Sequence, residues 1–261
     1  MPGDWIDAHC HLADPRFAGT LDEVIERSRA AGVVGWIQGG VGPDDWQRQR
    51  KLVERFGGAV HPTFGIHPWW AARHSDTEID DALTRLDDEL GGAVALGELG
   101  IDAHPRWKAL PGSMERQERA FDRQLTLAQS RGALLILHVV RAHHKVLAAL
   151  RSRRPWAGGL VHSFAGTHDE ACSYIELGFC LSISGAFLED PKRRAVLSHL
   201  ESDKIVIETD APDQLPAGAV GPLNQPANLP KIAASLAPLW GLCGEELLDR
   251  SRQTLARIGL V

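Results

Sequence analysis

Short apolar runs alternate with longer amphipathic stretches along almost the whole chain. Runs of strand type occupy Trp5–His9, Val33–Ile37, Val60–Ile66, Ala93–Leu96, Leu134–Leu137, Leu160–Val161, Phe179–Ile183 and Ile205–Glu208. Between them the apolar positions recur at helical spacing. That spacing predicts helices over Thr20–Ala31, Asp44–Glu54, Glu78–Glu89, Ser113–Ser130, Ala142–Leu150, His168–Leu177 and Asp190–Leu200, and two more over Leu229–Leu239 and Glu245–Ala256. Gly32 and Gly178 stop two of these helices. Ser113 is expected to cap the long helix, although Arg116 three residues on leaves it without a capping box. Strands that alternate with helices imply a parallel sheet. Eight such units in 261 residues match the size of a closed (β/α)8 TIM barrel, an α/β fold. The competing architecture is an open doubly wound sheet, weakened because no G-x-G-x-x-G follows the first strand. With no repeat, low-complexity tract or linker, residues 1–261 read as one domain, and Pro212–Pro230 as one long loop after the last strand.

Composition narrows the class. Hydrophobic residues make up 44% and charged residues 24%, the mix of a globular chain rather than a disordered or disulfide-scaffold one. The net charge of −6 means that any nucleic-acid role must rest on local patches or bound cations, not on bulk charge. Cys10, Cys172, Cys180 and Cys243 show no C-x-x-C spacing and read as reduced thiols. The chain opens without a basic-then-apolar leader, and no uncharged apolar run approaches the ~20 residues that span a bilayer. A cytoplasmic, monomeric protein with no membrane association is therefore expected. Histidine is the outlier, with twelve copies, and imidazole is the commonest neutral metal ligand.

In a (β/α)8 barrel the active site lies at the C-terminal ends of the strands. The first strand ends in Asp7-Ala8-His9-Cys10-His11. Alternation along a strand turns His9 and His11 to one side and Cys10 to the other. The fourth strand ends near Glu98, the fifth at His138, the sixth at His162 and the eighth in Glu208-Thr209-Asp210. Each residue has a bland reading, as a hydrogen-bonded structural histidine, a cap or a loop charge. Together they place four imidazoles and at least two carboxylates on one rim, which is costly unless a cation pairs with them. A divalent ion is the simplest partner.

These segments resemble the TatD family of metal-dependent deoxyribonucleases, within the wider amidohydrolase-like barrels. The resemblance rests on Asp7-Ala8-His9-Cys10-His11, Gly65-Ile66-His67-Pro68, Gly97-Glu98-Leu99-Gly100-Ile101-Asp102, His138, Val161-His162-Ser163-Phe164-Ala165-Gly166, Glu208-Thr209-Asp210-Ala211-Pro212 and Asn224-Gln225-Pro226-Ala227-Asn228-Leu229-Pro230. The cysteine within the H-x-H is similar to the YjjV-type branch. The resemblance implies two divalent ions, one held by His9, His11 and Asp210 and the other by His138 and His162, with Glu98 bridging. No lysine stands near the end of the fourth strand before Lys108 to take that bridging place. One departure concerns the Ser-Arg pair that usually follows the strand-five histidine. Here the chain reads His138-Val139-Val140-Arg141, and on a regular backbone Arg141 points elsewhere. Another is His104-Pro105-Arg106-Trp107, where relatives often place an aromatic residue directly after Asp102.

The implied function is a metal-dependent hydrolase acting on ester bonds, a deoxyribonuclease of 3'-5' exonuclease type, with DNA or a small phosphodiester as partner. Two ions lower the pKa of a water and clamp the attacking and leaving oxygens. Asp210 would accept the proton of the attacking water, and Glu208 is the weaker candidate base. His67, Arg141 and Asn224 are candidate substrate contacts, while His67 could equally orient a ligand and Asn224 could equally form a turn. Trp69, Trp70 and Trp107 are candidates either for base stacking or for anchoring loops. Imidazole and carboxylate donors favour zinc, manganese, nickel or iron over calcium, with magnesium a weak activator. The alternatives are a metallohydrolase of the same barrel acting on a small phosphate ester, amide or lactone, and a non-catalytic metal-binding protein. No G-x-S-x-G or Walker loop supports a serine hydrolase or a nucleotide-binding enzyme.

Overall fold

The computed structural model describes residues 3–185 and 190–261. All neighbouring strands run parallel, in two hydrogen-bonded sets. The first set is β1 (Trp5–Cys10), β2 (Val33–Gln38) and β3 (Val60–His61). The second runs β4 (Thr63–Phe64), β5 (Ala95–Asp102), β6 (Leu135–Val140), β7 (Gly159–Val161), β8 (Phe179–Ile183) and β9 (Ile205–Ile207). β3 and β4 are one strand interrupted at Pro62, which has no N–H for the ladder. The Pro62 carbonyl still accepts from Val94 N at 2.9 Å, so the interruption is local. At the other seam Asp210 N donates to His9 O (2.9 Å) and His11 N to Ala211 O (2.7 Å), which joins the chain after β9 to β1. The eight strand positions thus close into a barrel, as the alternation predicts.

Helices α1 (Leu21–Ala30), α2 (Pro43–Phe56), α3 (Pro68–Arg73), α4 (Asp76–Glu89), α5 (Pro105–Lys108), α6 (Ser113–Arg131), α7 (His143–Arg151), α8 (His168–Glu176), α9 (Pro191–Leu197), α10 (Leu229–Leu236) and α11 (Gly244–Ile258) lie in the connections and at the C-terminus. Their buried faces pack against outward-facing strand residues to form the main core, with Trp36, Trp46, Phe17, Phe64, Tyr174 and Phe179 among its largest members. A smaller cluster takes Ala8, Ile37, Ala95, Ile136, Leu160, Cys180 and Val206, one from each of seven strands, together with Leu255 and Leu260. Residues spread around a ring of strands touch one another only inside it, so this layer fills the barrel below its polar mouth.

Three expectations are corrected. The long helix is capped by Gly112, whose left-handed φ of 66° turns the chain so that Ser113 falls in the first turn. Ser113 is buried there and accepts from Gln117 Nε2 at 3.1 Å. β5 runs to Asp102 and β6 to Val140, well past their expected ends, because the polar residues that looked like strand ends find partners inside the mouth. Two short helices, α3 and α5, had no counterpart in the pattern. Each begins with a histidine side chain accepting from the backbone two residues on and a proline at the first helical position.

Candidate metal centre

The six candidate ligands come together at the C-terminal mouth of the barrel. Glu98 is the hub. Between Gly97 and Leu99 the register of β5 against β6 shifts by one residue, so Glu98 sits in a bulge without a ladder partner. A bulge re-aims a side chain. Here Glu98 N donates to Gly40 O (2.8 Å) and Gly40 N to Gly97 O (3.1 Å), fixing the turn from the β2 side. Gly39 beside it has no room for a side chain, because a Cβ would collide with the His11 ring and Glu98 Oε1.

The two carboxylate oxygens of Glu98 face different partners. Oε1 lies 3.4 Å from His9 Nε2 and 3.3 Å from His11 Nε2. Asp210 Oδ1 joins this group, 3.8 Å from His9 Nε2 and 3.4 Å from His11 Nε2. Oε2 lies 3.3 Å from His138 Nδ1 and 3.0 Å from His162 Nε2, and those two nitrogens are 3.0 Å apart. The far nitrogen of each imidazole points at a carboxylate. His138 Nε2 is 3.3 Å from Asp102 Oδ2, and His162 Nδ1 is 3.6 Å from Glu208 Oε1. With the ring protons on those outer nitrogens, three lone pairs converge on one point. At His138 this is the carboxylate–histidine–metal pattern, in which the outer carboxylate fixes the tautomer, whereas His162 Nδ1 stands too far from Glu208 for a hydrogen bond.

The donor set fits a cation on three counts. His9 is wholly buried, yet neither of its ring nitrogens has a hydrogen-bond partner, and Glu98 Oε1 also lacks one. Buried polar atoms of that kind are rare without an ion or water to satisfy them. Ligands about 2.1 Å from one ion stand about 3.0–3.4 Å apart at octahedral or tetrahedral angles, close to most of the separations above. Finally, the hub is anionic and draws positive charge toward it. Burial would raise the Glu98 carboxyl, but His162, His9 and His11 outweigh it and hold it well below the usual carboxylate range. Burial would likewise lower His11, but Asp210 and Glu98 push it up to about 9. Asp210, despite burial, is brought down to about 2 by His11, His162 and His9.

His67 also faces Glu98, with Nε2 3.5 Å from Oε2, and His67, Glu98 and His138 are near enough to form a third donor group. Its Nδ1 accepts from Trp69 N at 2.9 Å, so Nε2 carries the proton and donates toward Glu98. Burial depresses its pKa to about 4 and keeps the ring neutral. Of the two roles open for His67, this geometry favours orienting the hub. Glu208 is held in place: its carboxylate accepts from Ser163 N at 2.7 Å and from Ser182 Oγ. Asp210 Oδ2 accepts from Gln214 Nε2, and the Gln214 carbonyl accepts from Ser184 Oγ.

A cavity of about 1020 Å³ opens above the cluster, and His67, Arg141 and Asp210 line it. Arg141 reaches it because its φ of 55° breaks the regular strand backbone, the correction to its expected direction. Asn224 does not line it. Its amide donates to Thr209 O (2.7 Å) and Gln214 O (3.1 Å), and its oxygen accepts from Gln225 N and Asn228 Nδ2. Asn224 therefore organises the loop rather than facing substrate. Sequence reasoning gave no role to three residues that matter here. Asp7 ties β1 to the loop after β9 by accepting from Thr209 N at 2.9 Å. Asp102 orients His138, and its only signal was a carboxylate four residues beyond Glu98 in an apolar run. Gln214 holds Asp210 and carried no signal at all.

The model of the TatD-related DNase family matches residues 6–258. The chain belongs to that family. A TatD protein from Pantoea vagans, named a 3'-5' ssDNA/RNA exonuclease, is 33% identical and covers 97% of this chain and 99% of its own. YjjV of Escherichia coli, described as an uncharacterized metal-dependent hydrolase, is 30% identical over 90% of each chain. The solved YjjV structure superposes with a TM-score of 0.87, 27% identity and full coverage of both chains. Membership makes this TatD-family chain a metal-dependent hydrolase, and the fit of the buried donor set to a cation agrees with it. No helix among the described residues is long and apolar enough to cross a membrane.

Proposed function

We propose that this TatD-family hydrolase removes nucleotides from the 3' end of single-stranded DNA with two divalent ions. His9, His11 and Asp210 would hold one ion, His138 and His162 the other, and Glu98 would be shared. The division of the two Glu98 oxygens between separate donor groups carries this reading. When bound, such a pair supplies an activated water at neutral pH and neutralises the phosphodiester. The donor set of imidazoles and carboxylates favours zinc, manganese, nickel or iron, with magnesium a weak activator.

The chain's own groups do the rest. Asp210 is ionised and lies at the cavity edge, where it can accept the water's proton. Gln214 keeps its second oxygen turned toward the cavity loop. Glu208 is the weaker base because it is wholly buried and does not line the cavity, whereas Asp210 does. Arg141 stands at the wall where a substrate phosphate would enter. The exonuclease names of the Pantoea and similar relatives support DNA as substrate. The same reading takes residues 1–261 as one catalytic domain, acting as a monomer in the cytoplasm, where four unpaired cysteines are at home.

The test follows a 5'-labelled single-stranded oligonucleotide with the purified protein in Mn2+. Stepwise shortening from the 3' end is expected, abolished by EDTA and restored by added ion. Retained metal with no diester cleavage, but hydrolysis of an amide, lactone or phosphate monoester, would replace the nuclease reading by the small-substrate one.

A further inference from the structure

The cavity has two unlike walls. On one side the arginines are already neutralised, Arg16 by Asp14 (2.9 Å) and Asp213 (2.7 Å) and Arg193 by Asp190 (3.3 Å), and Lys192 is the lining cation left there among the described residues. On the other side, among the described residues, Trp69 is the one indole or phenyl ring that both lines the cavity and stays exposed, at 37%. Three exposed arginines stand on the connections after β4, β5 and β6: Arg141 lines the cavity, while Arg73 and Arg106 lie outside it, beyond Trp107. Arg73 and Arg106 lie over the Trp107 ring, 4.5 and 4.6 Å from its centroid. Neither they nor Arg141 has a carboxylate partner among the described residues.

We propose that Trp69 is the stacking platform for a nucleobase next to the scissile phosphate of a single-stranded substrate, and that Arg73, Arg106 and Arg141 attract the flanking phosphates. This rests on the nuclease reading above and assigns its substrate track. The indole is fixed in advance. Trp107 covers one face, with centroids 5.5 Å apart and planes at 27°, and the edge of His138 lies at 5.5 Å and 77°. Its Nε1–H donates to Asp102 Oδ2, the oxygen that also receives His138 Nε2. One carboxylate thus sets both the platform and a candidate metal ligand, which fixes the distance between the stacked base and the reacting phosphate. The two His-Pro turns that open α3 and α5 hold Trp69 and Trp107 in this pair. The other tryptophans raised by the sequence do not serve. Trp107 is 4% exposed, and Trp70 is stacked on His74 at 3.7 Å. A base on a preorganised ring adds binding that any of the four bases can use, and unpaired arginines supply the local positive field that a chain of net charge −6 otherwise lacks.

The test compares wild type, Trp69→Ala and Trp69→Phe on a single-stranded oligonucleotide and on copies carrying one abasic site at each of the last four positions. Trp69→Ala is expected to raise KM by about ten- to a hundredfold with kcat within about threefold and metal content unchanged. Trp69→Phe keeps a stacking face without the Nε1–H, so its KM stays within about fivefold of wild type. One abasic position should reproduce the Trp69→Ala loss in wild type, and Trp69→Ala should lose nothing more on that substrate. Equal losses for both variants, a Trp69→Ala loss that persists undiminished on every abasic substrate, or loss of metal would each overturn the platform and leave Trp69 as a support for Asp102. If Trp69→Ala does not fold, Trp69→Phe and the wild-type abasic scan still decide. A wild type that cuts oligonucleotides with no dependence on any terminal base sinks the platform alone. A wild type that neither binds nor cuts them sinks the nuclease reading beneath it.

Discussion

Glu98→Ala is expected to slow phosphodiester hydrolysis by at least about 10³-fold and to deplete bound metal. The size follows from how many partners the side chain serves. Its two oxygens face four imidazole nitrogens of His9, His11, His138 and His162 at 3.0–3.4 Å, with His67 slightly farther. Removing it leaves the histidines with no shared anion, and Asp210 near only one pair of them. On the proposed two-ion reading, an ion at either position would have one ligand fewer, and the pair would lose the group that sets its separation. Glu98→Gln keeps the volume but not the charge, so it should resemble the alanine variant in rate while folding more readily. Metal content by mass spectrometry and initial rates on an oligonucleotide check both. A rate within tenfold of wild type would remove Glu98 from the centre of the account.

Asp210→Asn is expected to lower kcat by about 10²–10⁴-fold, the range for loss of a positioned proton acceptor. The asparagine is nearly isosteric and can still accept from Gln214 Nε2, so the loop after β9 should keep its shape. What disappears is the charge beside His9 and His11 and the basic oxygen at the cavity edge. Metal held on the His138 and His162 side should persist, which separates this variant from Glu98→Ala. Single-turnover rates, with metal content measured on the same samples, distinguish the two. A loss smaller than tenfold would mean that another group takes the proton.

The barrel and the cluster of metal-type side chains at its mouth were readable because each rests on a local rule. Apolar runs followed by amphipathic stretches require a parallel sheet, and metal-type side chains after apolar strands mark one rim. H-x-H places His9 and His11 together by alternation alone, and the structure keeps them on one carboxylate. What escaped depends on contacts distant in sequence or on backbone irregularity. β5 and β6 extend past their polar residues because Glu98, Asp102 and His138 satisfy one another, which a strand pattern does not encode. Arg141 lines the cavity only through a left-handed residue at the strand end. Asn224 looked like a substrate contact because it lies in a motif beside the site, and its four hydrogen bonds to the loop could not be read from spacing. The starts of α3 and α5 did carry a signal, a histidine before a proline, that periodicity over longer windows obscures.

Diffraction from crystals grown with Mn2+, recorded for its anomalous signal, tests the shared-carboxylate centre most directly. Two peaks about 3.5–4 Å apart are expected, one against His9, His11 and Asp210, the other against His138 and His162, with one Glu98 oxygen on each. A single peak, a peak bound through His67 in place of His162, or a Glu98 carboxylate that touches neither ion would contradict that centre.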